Sequence, residues 1–222
     1  MSKAICHTVT DWAATGAMLQ GIGTLIGAIA VIAAAIIGAN TFDKWKQQKI
    51  AERKRDQAEK ILTATYRVRR QLSAVRSPMM WAHETDKAQK DLEERGEWQK
   101  AASDADRKSL AVAQAYYDRL NRTKGDQAAL EECQPMARAL FGEELEQAIE
   151  KLLHQFWTVK VYVDANHNDK NGADKAFREK IEGVIWEGYP TAGENEVDKT
   201  INEKVILIEK VCVPALRMEK DS

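Results

Sequence analysis

The residues whose types and spacing come nearest to chemistry are a run of oxygen ligands, a few histidines and three cysteines. Asp164-x-Asn166-x-Asn168 begins like a calcium loop, in which oxygen ligands at alternate positions converge on the ion. Such a loop needs Gly at its sixth position and Glu at its twelfth. Here those positions hold Asp169 and Lys175, so a solvated turn is expected. His83-Glu84 opens like a zinc-protease helix, but Lys87 stands where the second His must be. Glu150 and His154 lie four apart on one helical face, with no second pair at ligand spacing, and read as a surface pair. Whether His154 and His167 meet is left to the fold.

Cys6, Cys133 and Cys212 are odd in number, far apart and without C-x-x-C spacing, which excludes a disulfide framework or a zinc knuckle. Cys133 and Cys212 are expected as small apolar core residues in a reducing compartment. The chain has no glycine-rich phosphate loop, no G-x-S-x-G nucleophile and no local Cys and His signature. Its carboxylates are too numerous for a catalytic pair to stand out. No catalytic residue, cofactor or metal ligand is therefore expected, and the chain does not read as an enzyme.

The element that dominates the sequence is instead an apolar one. From Trp12 to Phe42 there is no ionisable side chain, although 30% of the 222 residues are charged. Ile22 to Gly38 is apolar apart from one Thr, and Ala13 to Met18 and Ala39 extend it. A helix needs about 20 such residues to cross a hydrocarbon core roughly 30 Å thick. A buried core helix and a cleaved signal peptide are the competing readings. A signal peptide should carry a basic start, yet only Lys3 precedes this stretch, and a dense basic run follows it. Lys44, Lys46, Lys49, Arg53, Lys54 and Arg55 mark the side that is not translocated, so the N-terminus is expected outside and the rest cytoplasmic. Trp12 and Trp45 bracket the span as interfacial anchors. Within it Gly23, Gly27, Ala30, Ala34 and Gly38 fall on one helical face. Such a face permits close helix association. Small residues are also simply frequent in membrane helices, and both readings stand.

Residues 44–76 carry a net charge of +8 and residues 77–222 a net charge of −8. The bases nearest the span are expected to face anionic headgroups. Arg67, Arg69, Arg70 and Arg76 lie farther along and are candidates to pair with the acidic remainder. No nucleic-acid recognition motif accompanies the charge, so nucleic acid is not an expected partner. No Gly or Pro interrupts the chain between Gly38 and Pro78, which lets the span continue as one helix. Ala58, Ile61, Thr65, Val68, Leu72 and Val75 form a heptad-type stripe of under three heptads, suited to a coiled coil or one member of a bundle.

Further helices are expected after a Ser103-x-x-Asp106 cap, with Leu110, Ala113, Tyr117 and Leu120 inward, and from about Glu143, with Leu145, Ile149, Leu152, Phe156, Val159 and Val163 inward. A polar loop is expected at Asn166 to Gly172, a helix from about Asp174 to Trp186, and a last helix capped by Asn195. That helix bears Val197, Ile201, Val205, Ile208 and Val211 and should stop near Pro214. The expected fold is all-α: a single N-terminal transmembrane helix continuing into a cytoplasmic bundle of five or six helices, with Trp81, Trp157 and Trp186 in its core. The expected organisation is an external N-terminus at 1–11, a span at 12–42, a basic juxtamembrane helix at 43–78 and an acidic bundle at 79–222 packed with it.

The stretch LIGAIAVIAAAIIGANTFDKWKQQ, followed by a basic helix ending at Arg76-Ser77-Pro78, resembles a loose class of uncharacterised bacterial inner-membrane proteins with one N-terminal span and a helical cytoplasmic domain. The resemblance covers about the first 80 residues and brings no catalytic residues. Some proteins of this layout resemble membrane effectors of bacterial defence or toxin systems. The expected function is that of a non-enzymatic, membrane-anchored interaction protein of the bacterial inner membrane, which oligomerises or binds a cytoplasmic protein. A membrane-perturbing effector assembling through the Gly/Ala face is the alternative. An enzyme of unknown type is a third, for which His154, His167 and nearby acids would have to share one cleft.

Overall fold

The structure, a computed structural model, describes residues 12–169, 174–191 and 193–217, with side chains from residue 16 onward. Lys3, Cys6, the 1–11 segment, the Trp12 side chain and the last three residues, 170–172, of the loop expected at Asn166 to Gly172 lie outside the described residues. What is described is all-α, with eight α-helices, one 3-10 turn and no strand among the described residues. Contacts divide the chain into two compact units, Met1–Ile50 and Ala51–Ser222.

The first helix, α1, runs unbroken from Trp12 to Val75. It stops at Arg76-Ser77, because the residue before Pro78 is sterically pushed out of the helical region. In the second unit the α1 stripe is the seam of the core. Ala58, Ile61, Thr65, Val68 and Leu72 are fully buried and Val75 nearly so. The other helices of this unit are α2 (Ala82–Glu94), α3 (Asp104–Arg122), α4 (Lys124–Glu131), α5 (Gln134–Phe141), α6 (Glu143–Asn168), α7 (Lys175–Ile185) and α8 (Glu196–Arg217). The 3-10 turn, Trp98–Lys100, joins α2 to α3.

Helix α6 is the hub, packing on α3, α4, α5, α7 and α8. Its whole expected stripe, Leu145, Ile149, Leu152, Phe156, Val159 and Val163, is buried. The helix starts follow their local chemistry. Ser103 Oγ accepts from the Asp106 amide at 3.1 Å, Asp174 from the Ala176 amide at 2.9 Å, and Asn195 Oδ1 from the Asp198 amide at 3.0 Å. At the start of α2 the Glu84 carboxylate accepts the Trp81 amide at 3.1 Å. Between α5 and α6 the chain turns at Gly142, whose φ of +97° an L side chain rarely adopts.

Three expectations are corrected. Trp81 and Trp157 are not core residues; each is 59% exposed, and only Trp186 packs against the core. A large amphipathic ring fits a helical stripe and an outward position alike, so periodicity alone misplaced them. Helix α6 does not give way to a loop at Asn166 but runs to Asn168, because α3 holds its end. His167 Nδ1 meets Ser109 Oγ at 3.2 Å, and Tyr117 donates a short hydrogen bond to Asp164. Pro214 does not end α8, which continues to Arg217 with Ala215 and Leu216 against the core. A proline this near a helix end removes a single hydrogen bond, which packing offsets.

Candidate functional site

Of the described helices, α1 is the one long and apolar enough to cross a membrane. Every large apolar side chain from Met18 to Ile37 is exposed, from 48% at Ile22 to 69% at Val31. Each such side chain left in water forgoes about 1.5–3 kcal/mol. The set therefore represents on the order of 20 kcal/mol, more than the 5–15 kcal/mol by which a domain is typically stable. A soluble core helix passes the same length test but is covered by its own fold; here none of the most apolar window is covered.

Two hydroxyls of this stretch are satisfied within the helix itself. Thr24 Oγ1 donates to the Gln20 carbonyl at 2.7 Å and Thr41 Oγ1 to the Ile37 carbonyl at 2.8 Å, so neither hydroxyl needs water. Gly23, Gly27 and Gly38 have nothing within 4 Å of where a Cβ would stand. Ala30 and Ala34 are likewise exposed on the same face. The face makes no contact that would require small residues within one molecule. Past the apolar stretch, Phe42 and Trp45 lie ring against ring, 5.8 Å between centroids, with Trp45 54% exposed. Lys44, Lys46, Lys49, Arg53 and Arg55 are exposed, and Lys54 is half-buried.

The residues considered for chemistry are dispersed. Among the described residues no group of three His, Cys, Asp or Glu is placed to hold a metal ion. His154 and His167 share α6, thirteen residues apart. At 1.5 Å per residue they stand about 20 Å apart and cannot meet. His154 stacks on Trp157 at 4.9 Å. His83, Glu84 and Lys87 line a 340 Å³ cavity between α2 and α3, where Lys87 is bound to Asp91 at 2.7 Å and Asp118 at 2.5 Å. Cys133 and Cys212 are buried free thiols; burial raises both pKa values, that of Cys212 to about 12, which keeps them protonated.

Two buried arginines carry the polar structure of the second unit. Arg76, 1% exposed, pairs with Asp198 through a short contact and donates to the Val184 carbonyl at 2.8 Å, the Trp186 carbonyl at 3.1 Å and Asn195 Oδ1 at 3.0 Å. It thereby fastens the end of α1 to the α7–α8 connection. Arg119 grips Glu84 with two hydrogen bonds of 2.9 and 2.6 Å, and donates to the Ser77 and Met79 carbonyls at 2.9 and 2.6 Å. The Arg119 guanidinium holds the Glu84 carboxyl down to a pKa of about 2. Arg76 was among the bases expected to pair with acids. Arg119 and Glu84 carry no such signal, because their partnership spans 35 residues and is set by how α2 lies on α3.

No family model matches the sequence, and neither a curated protein nor a solved structure is similar to it.

Proposed function

We propose that this chain is a non-enzymatic, membrane-anchored interaction protein: α1 spans the bilayer once, and the helical unit behind it oligomerises or binds a protein partner. The observation that carries this reading is the bare apolar surface from Met18 to Ile37, which only lipid or another span can cover. A cleaved signal peptide fits less well, since α1 runs on without a break into residues that form the core of the second unit. The excess of Lys and Arg after the span orients the N-terminus outward and the bundle into the cytoplasm of a bacterial inner membrane. The exposed bases and Trp45 rest at the headgroup level. Full-length protein should stay in the membrane pellet through an alkaline carbonate wash, and after detergent extraction should be larger than a monomer or carry a stoichiometric partner. A clean, partner-free monomer sinks the interaction reading; release by carbonate sinks the anchor.

A second reading, a membrane-perturbing effector assembled through the span, is favoured by one observation: Gly23, Gly27 and Gly38 have open space around them in the single chain. Gly27→Leu therefore costs nothing in the monomer and would act only between copies. Toxicity on overexpression that Gly27→Leu removes supports this reading. Toxicity that survives the substitution, or a harmless wild type, speaks against it.

A further inference from the structure

Four arginines in the last part of α1, Arg67, Arg69, Arg70 and Arg76, stand where they could pair with the acidic remainder of the chain, and among the described residues Arg76 alone does so. Arg69 and Arg70 are exposed. Arg69 donates to the neutral Asn202 Oδ1 at 3.2 Å, and Arg70 donates to no group among the described residues. Tyr66, Arg69, Arg70 and Ser73 follow one another at i, i+3, i+4 and i+7, so all four fall on one flank of the helix. That flank borders a 560 Å³ groove, which takes in Ile201 and Asn202 of α8.

Two carboxylates line the same groove, and both are already engaged. Asp198 is neutralised by the buried Arg76 and also accepts the Gly188 amide at 2.8 Å. Glu187 accepts from Ser73 Oγ at 2.5 Å, and its own amide donates to the Arg76 carbonyl at 2.9 Å. With Asp198 and Arg76 cancelling, the groove holds two cations, Arg69 and Arg70, against one anion, Glu187, a net charge of +1. The hydrogen-bond inventory points the same way. Both carboxylates have internal donors, whereas the Arg69 and Arg70 guanidiniums and the Asn202 amide nitrogen keep N–H groups without a partner among the described residues. The contacts of Arg76 with the α7–α8 connection fix one wall in place, so a ligand meets it ready-made.

We propose that this groove binds a phosphate group, free or as the monoester of a small molecule, on the guanidiniums of Arg69 and Arg70. A lone carboxylate is satisfied by one guanidinium fork, while a phosphate monoester carries a charge of about −1.5 to −2 and three acceptor oxygens, enough for both. The Asn202 amide supplies a further donor. The Tyr66 ring, 40% exposed and with its hydroxyl tied to Glu209 at 2.7 Å, gives the organic part of an ester a surface to lie on. The groove lies wholly within the second unit, and would serve whether or not α1 spans a bilayer.

Isothermal titration of the full-length protein in nonionic detergent tests this, with inorganic phosphate, adenosine monophosphate and adenosine as probes, at one ionic strength made up with chloride so that screening is constant. The anions should bind saturably and adenosine should not. Arg69→Gln and Arg70→Gln should each weaken that binding about tenfold or more, as the loss of a charge-assisted hydrogen bond does. Arg67→Gln removes an equal charge from the same stretch of α1, but Arg67 lines a different groove, so it should leave binding unchanged. All three side chains are exposed, and circular dichroism checks that each variant is folded. Adenosine monophosphate binding tighter than phosphate assigns the groove to monoesters; phosphate binding as tightly or more so assigns it to the free ion. No saturable binding of either anion, adenosine binding as well as its monophosphate, or wild-type affinity in Arg69→Gln and Arg70→Gln overturns the proposal. An equal loss in Arg67→Gln overturns it too, because diffuse charge rather than a site would then hold the anion.

Discussion

Arg119 and Glu84 are side chains whose loss the second unit should feel most. Both are buried, at 6% and 10% side-chain exposure, and removing one partner strands the other charge away from water. Breaking such a pair typically costs about 3–5 kcal/mol. Arg119→Met is therefore expected to lower the thermal midpoint of the detergent-solubilised protein by about 6–20 °C, using about 2–4 °C per kcal/mol for a chain of this size. The pH dependence follows from the sign of the shift. The folded carboxyl of Glu84 titrates at about 2, below its ordinary 4.5, so its stabilising contribution is complete above about 4.5 and is lost as pH falls toward 2. Wild type should lose stability across that window more steeply than Glu84→Gln; parallel curves would contradict the assignment. Thr65 makes the opposite case. Its hydroxyl is fully buried and without a hydrogen-bond partner, so Thr65→Val should raise stability by about 1 kcal/mol in the same melting measurement.

At the scale of elements, the apolar stripes of α1 and α6 were legible residue by residue, because a helix packed on one side must repeat its buried positions every three to four residues. The caps at Ser103 and Asn195 were equally legible, since each rests on a contact three residues away. What escaped the sequence was set by distant neighbours: the outward Trp81 and Trp157, the last turn of α6 held by α3, and α8 continuing past Pro214. The distinction can be measured. Leu72→Ala opens a cavity at a fully buried seam position and should cost about 2–5 kcal/mol. Trp157→Ala, although it removes a larger side chain, should change stability by no more than about 0.5 kcal/mol, because its ring is mostly in solvent. A large loss at Trp157 would return that ring to the core.

The whole molecule is organised by solvent. One unit carries a helix whose apolar surface is uncovered, and the other encloses a core of ordinary composition stapled by two buried arginines. The apolar run, its basic flank and its aromatic border were all visible in the sequence, because membrane insertion selects on composition over about 20 residues rather than on distant contacts. We propose that Ile22 to Gly38 lies in lipid and Lys44 to Arg55 at the cytoplasmic surface. Single cysteines placed along 16–60 and probed with a membrane-impermeant maleimide, in intact cells and in inverted vesicles, test it most directly. A span in that orientation should give no labelling from 22 to 38 in either preparation, and labelling from 44 to 55 in inverted vesicles alone. Uniform labelling along the helix, or labelling of 44 to 55 in intact cells, would contradict it.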